Sequence, residues 1–125
     1  MYKQALIAGA LFAALAVALG AFGAHALKTI LPPAQVLIFE TGVRYQFYHS
    51  FALLATGIIY GAAPSKNIRL ASTFFIIGIL LFSGSLYTMS LLSIGGVGLG
   101  PIGILTPIGG LFFILGWLLL LLGIL

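Results

Sequence analysis

The polar chemistry of this chain gathers in the stretch from Glu40 to Tyr60, which opens Glu-Thr-Gly-Val-Arg-Tyr-Gln-Phe-Tyr-His-Ser and then turns apolar. It holds the only acidic side chain in the sequence, together with an arginine and one of the two histidines. Histidine titrates near neutral pH, so His49 invites a proton relay. A relay needs successive stations, and no acidic residue shares its depth. A metal site built from His25 and His49 would be an incomplete set, two imidazoles without carboxylate or thiolate, so no metal is expected. Ser83 and Ser85 could meet His49, but a hydrolase also needs an orienting acid and an oxyanion hole, and the chain offers no paired carboxylates. The expectation is therefore no enzyme and no cofactor. His49 is read as a neutral imidazole hydrogen-bonded to Tyr45, Tyr87 or Ser83. Glu40 and Arg44, spaced i to i+4, are expected to form an interfacial ion pair, with a substrate or proton gate as the alternative.

The elements that must position these groups follow from composition. Charged residues are 5% and hydrophobic residues 62% of the chain, against roughly 25% charged in a soluble globular domain. This is the composition of an integral membrane protein. Its 125 residues leave room for about four spans of roughly 20 residues and no soluble domain beside them. The fold class expected is all-α, a single four-transmembrane-helix bundle with N and C termini on the same side, its spans at about 4–25, 40–61, 68–92 and 107–125. Lys3, Lys28, Arg44, Lys66 and Arg69 are scattered singly and form no nucleic-acid patch. Cysteine is absent, which excludes disulfides and thiolate sites.

Lys3, the apolar run after it and Ala24-His25-Ala26 resemble a signal peptide, but the run exceeds the roughly 7 to 15 residues of such a segment and is read as a retained first span. Its small residues Gly9, Ala13, Ala16 and Gly20 make a stripe for close helix packing. Pro32-Pro33 breaks the chain, and residues 33–39 are either an interfacial turn or an early part of the second span. Ser65 is a candidate cap for the third span. The glycine-rich segment around 95–103 places Gly98, Gly100 and Gly103 at dinucleotide-fingerprint spacing, but with no strand before it the segment is expected to be a loop. The fourth span, leucine-rich with Trp117, is expected to carry no chemistry of its own.

Lysine and arginine decide orientation over short loops. Lys3, Lys66 and Arg69 on one side outweigh Lys28 and Arg44 on the other, so the termini are expected in the cytoplasm and the protein in the cell inner or plasma membrane. At about 100° per residue, Gly42, Tyr45, Gln46, His49, Leu53, Thr56, Gly57 and Tyr60 share one sector of the second span. Unsatisfied polar groups are costly in hydrocarbon, so this face should turn inward. Tyr45, Gln46, His49, Ser83 and Tyr87 are expected to meet at one depth in the outer half, as a hydrogen-bonded cluster or the wall of a ligand pocket.

Several blocks carry a resemblance: Gly20-Ala21-Phe22-Gly23-Ala24-His25-Ala26-Leu27, the run Phe39 to His49, Phe82-Ser83-Gly84-Ser85-Leu86-Tyr87, and Thr106-Pro107-Ile108-Gly109-Gly110 with Gly116-Trp117. In this order they resemble the signature of the YgdD/YwdK family. The resemblance implies a small four-helix membrane protein and a domain of unknown function, and supplies neither catalytic residue nor substrate. Two readings of function follow. The first is a structural or accessory membrane component, in contact with the lipid bilayer and with a second copy or another membrane protein as candidate partner. The second is a binder or conduit for a small molecule, lipid or proton through an outward-facing pocket around His49.

Overall fold

The computed structural model describes residues 1–96 and 101–125, and the described residues are helical apart from short turns and the chain ends. Helix α1 spans Lys3–His25, α2 Pro33–Ala62, α3 Lys66–Gly78, α4 Gly84–Leu92 and α5 Ile102–Ile124. A 3-10 turn, Leu27–Thr29, follows α1, and a π turn, Ile79–Ser83, joins α3 to α4. Three stretches, Lys3–Thr29, Lys66–Gly95 and Ile102–Ile124, are long and apolar enough to cross a membrane. α2 lies outside that set because it carries the polar residues.

Local sequence explains most boundaries. Pro32 is extended, at φ −59° and ψ 153°, and Pro33 takes the first helical position, where a missing N–H costs nothing. Residues 33–39, open in the sequence, thus belong to α2 as its first two turns. At 30 residues, α2 is about 45 Å long at 1.5 Å per residue, half as long again as a hydrocarbon layer is thick. The Ser65 side chain accepts from the Asn67 N–H at 3.2 Å and caps α3 as expected. The third apolar stretch is not one regular helix. Within it Gly84 N–H reaches back five residues to the Ile79 carbonyl, the signature of a π turn. α5 begins five residues earlier than the expected start at Pro107, which lies inside it. The fingerprint glycines Gly98 and Gly100 lie outside the described residues. Gly96, at φ 70°, closes the 3-10 turn Ser93–Gly95 in the left-handed conformation that glycine adopts without strain.

α1 packs along α2, α5 along α3 and the π turn, and α4 rests on both α2 and α5. One core cluster centres on Leu53, Ile68, Phe75 and Phe113, another on Ala16, Leu27, Phe39 and Val43. Along α1 the buried residues are Ala5, Gly9, Ala16 and Gly23; of the expected stripe, Gly9 and Ala16 are buried and Ala13 and Gly20 only partly so. Its closest point is Gly9, where a Cβ would stand 2.8 Å from the Ser50 carbonyl oxygen. At Gly20 the nearest atom is a Val43 methyl at 3.4 Å, an ordinary contact. Both chain ends lie at the same end of the bundle: Tyr2 N–H donates to the Gly57 carbonyl in the last turns of α2 at 3.0 Å, and Gly123 lies against Ile68 and Ser65 at the start of α3.

Two alanine substitutions should therefore diverge. Gly9→Ala must push backbone apart and should lower the melting temperature in detergent, whereas Gly84→Ala, with open space around it, should leave it unchanged or raise it through helix propensity. Equal effects would mean that α1 does not close on α2 at Gly9.

Candidate functional site

Gln46, on the inward face of α2 and 2% exposed, is bonded at both ends of its amide. Its Nε2 donates to the Phe12 carbonyl of α1 at 2.8 Å, and its Oε1 accepts from the Tyr87 hydroxyl of α4 at 2.6 Å. A carbonyl inside a helix keeps a second lone pair, so Phe12 accepts this bond without surrendering its helical one. Tyr87 reaches Gln46 because residue 42 is glycine: a Cβ there would stand 2.7 Å from the tyrosine ring. Ser83 Oγ donates to the Gly42 carbonyl at 2.7 Å, and Ser90 Oγ to the Gln35 carbonyl at 2.8 Å. Ser85 and Thr106 share a hydroxyl bond of 2.6 Å between α4 and α5. Ser85, Tyr87 and Ser90 thus rivet α4 to its neighbours, while Thr88 bonds back to Gly84 of its own helix.

His49, 4% exposed, faces the other way. Its Nδ1 lies 2.8 Å from the Tyr45 carbonyl one turn back, and its Nε2 lies 3.1 Å from the Trp117 indole nitrogen of α5. A carbonyl only accepts and an indole N–H only donates, so the pair of bonds fits one state: neutral imidazole with the proton on Nδ1. The ring stacks on Phe113 with centroids 3.5 Å apart and planes 8° from parallel. Phe75 and Trp117 close the edges at 5.6 and 5.9 Å.

The five residues expected to form one cluster thus divide. Gln46, Ser83 and Tyr87 join around Gly42 between α1, α2 and α4, while Tyr45 and His49 turn to α5. The Tyr45 ring is 37% exposed and packs on Phe82 at 4.7 Å. Histidine finds Tyr45 through that residue's backbone carbonyl, not its hydroxyl. The second partner of His49 is Trp117, in the helix expected to carry no chemistry of its own. The signal was there: a lone tryptophan among leucines carries an N–H that must be satisfied when it meets other helices. Phe113, one turn earlier, gave no signal beyond its hydrophobicity.

Glu40 and Arg44 form no ion pair among the described residues. Arg44 is exposed and Glu40 partly buried; an exposed pair gains at most about 1 kcal/mol, little against the entropy of holding two long side chains. Glu40 instead lines a pocket with Lys28. His25, at the end of α1, is exposed, and no group of three His, Cys, Asp or Glu side chains gathers among the described residues.

Beside His49 the surface opens into a groove of about 560 Å³ between α2 and α5, lined by Tyr45, His49, Phe82, Pro107, Phe113 and Trp117 among others. Its walls are mostly aromatic, and its polar imidazole nitrogens are already bonded. Apolar helices held together by inward hydrogen bonds define an all-α membrane protein. Comparison with known proteins narrows the class. Residues 19–110 match the family model described as a protein of unknown function, DUF423, and the chain belongs to that family. It is 45% identical to the UPF0382 membrane protein SSP2132 of Staphylococcus saprophyticus over 97% of this chain and 96% of that one. It is 37% identical to the UPF0382 membrane protein YwdK of Bacillus subtilis over 94% and 93% of the two chains. A UPF0382 membrane protein of Haemophilus influenzae is 41% identical over 82% of this chain and 77% of its own. No solved structure matches.

The double role of Gln46 has a measurable consequence. Tyr87→Phe should cost roughly 0.6 kcal/mol, the average of hydrogen bonds within a membrane protein. Gln46→Leu should cost more, because it unties α1 and α4 together. In a double-mutant cycle the two losses should fall short of adding. Strict additivity would mean that the hydroxyl and the amide do not bond.

Proposed function

We propose that this chain is a four-span bundle of the cell membrane with both termini in the cytoplasm, acting as a structural or accessory component and not as an enzyme. The observation that carries this reading is the bonding of Gln46 to both Phe12 and Tyr87. Apart from Gln35 Oε1, the deep polar groups spend their capacity on neighbouring helices or on their own backbone, which leaves them little with which to hold a substrate. The hydroxyls nearest to a hydrolase pattern are committed too. Ser83 donates to Gly42, and Ser85 to Phe82 with Thr106 at its other side, while His49 faces Trp117. A proton relay through His49 would have to break the Trp117 bond at every passage. α2 serves as the fourth span because its polar face meets partners from α1, α4 and α5. The orientation rests on Lys3, Lys66 and Arg69, which lie toward the end where Tyr2 bonds to the last turns of α2 and Gly123 packs on the start of α3. On this reading the groove between α2 and α5 receives a helix of a second copy or of another membrane protein.

The groove's size favours one further reading, a binder of a lipid chain or small apolar molecule. Its aromatic walls and about 560 Å³ lie in the range of ligand pockets. Trp117, the only tryptophan, reports on it directly. For an accessory protein, a panel of free fatty acids and apolar small molecules should leave Trp117 emission and melting temperature unchanged in detergent, in the intact chain and in His49→Ala alike. A saturable shift in emission, lost in His49→Ala while that variant stays folded, would move the assignment to ligand binding.

Topology has its own test. Reporters fused to either terminus should both register cytoplasm, and neutralising Lys66 and Arg69 should weaken that preference. Termini on opposite sides would refute the four-span arrangement.

A further inference from the structure

A second pocket, of about 530 Å³, lies away from the His49 groove, where the α1–α2 connection meets the first turns of α2. Its wall on α2 is Pro33, Val36, Leu37 and Glu40, an i, i+3, i+4, i+7 row that forms one face of the helix. Lys28 and Leu31 line it from the connection. The pocket thus sets the sole acidic side chain of the sequence and one lysine in an otherwise apolar hollow, and no salt bridge joins the two among the described residues. Lys28 is exposed and Glu40 half-buried.

We propose that this pocket binds the headgroup of a phospholipid bearing a primary amine, phosphatidylethanolamine in its simplest form. The argument is complementarity of charge and of hydrogen bonding. A lysine ammonium holds phosphate as a compact point charge with three donors. A carboxylate takes a primary ammonium through charge-assisted N–H bonds, which the quaternary ammonium of choline, having no N–H, cannot make. An anionic headgroup without an amine would meet Lys28 favourably but Glu40 with like-charge repulsion. The occupant is a lipid and not a free zwitterion because the hollow is walled by Leu31, Val36 and Leu37, and Leu37, 56% exposed, offers apolar surface to an acyl chain. The pocket also sits by the His25 end of an apolar, membrane-length stretch, Lys3–Thr29, where headgroups lie. None of this depends on which side of the membrane that end faces.

The test is native mass spectrometry of the whole chain released from nanodiscs of equimolar phosphatidylethanolamine, phosphatidylglycerol and phosphatidylcholine. The intact chain should retain phosphatidylethanolamine in several-fold excess over each of the others. Glu40→Gln should remove its advantage over phosphatidylglycerol, and Lys28→Gln should lower retention of all three. Equal retention by the intact chain would overturn the proposal without need of any variant, so a Glu40→Gln chain that failed to fold would not protect it. A preference that survived both substitutions would overturn the site. Displacement of the lipid by soluble O-phosphoethanolamine alone would overturn the assignment to a lipid.

Discussion

Hydrocarbon offers no partner to a hydrogen-bonding group, and the rest of this structure depends on that constraint. α2 brings Gln46, His49, Ser50 and Thr56 into the bundle, and each is answered from within; Gln35 Oε1, near its start, is the one buried side-chain atom left without a partner among the described residues. Ser50 and Thr56 answer themselves, turning their hydroxyls onto carbonyls one turn back, Gln46 and Ala52. Gln46 cannot, because its amide carries both donors and an acceptor, so it recruits α1 on one side and α4 on the other. Apolar contact in a lipid environment gives little net drive to associate, whereas these bonds are directional and fix which helix meets which. The glycines follow from the same demand. Gly9 lets the backbones of α1 and α2 close to where Gln46 can reach Phe12, and Gly42 clears the path of Tyr87.

The imidazole shows the constraint acting on protonation. Bonded to a carbonyl on one side and to an indole on the other, His49 sits between an obligate acceptor and an obligate donor. The stack on Phe113 covers one face of the ring, with Phe75 and Trp117 packed beside it. A side chain usually chosen for changing its charge is here held as a rigid polar plate that connects α2 to α5.

The sequence made α2 legible because its polar residues and glycines share one helical sector, and Gly42, Gln46, His49, Leu53, Thr56 and Gly57 are indeed buried. Three features escaped it for definite reasons. Which side of that sector faces which neighbour depends on the packing of the bundle, so Tyr45 at its edge could not be told from Gln46 beside it. The Trp117 bond joins residues 68 positions apart, and nothing local marks such a pair. The π turn leaves no mark of its own in a run of isoleucine, leucine and phenylalanine. Glu40 and Arg44 show no ion pair among the described residues, since i to i+4 spacing permits a contact without providing the free energy to hold it in water.

The π turn at Ile79–Ser83 works as a phase adjuster. One surplus residue in the coil advances everything after it by about 100° relative to a regular helix. Before the turn, the buried row of α3 ends on Phe75 and Gly78; from its last residue onward, Ser83, Ser85 and Ser90 bond to α2 and α5, and Tyr87 to Gln46. Two unrelated interfaces, one greasy and one hydroxyl-rich, are thereby brought into step on a single rod. Chain length in this short stretch is consequently a setting in itself: a homologue that dropped one residue between Ile79 and Ser83 would keep all its serines and its tyrosine yet present them to the wrong neighbours.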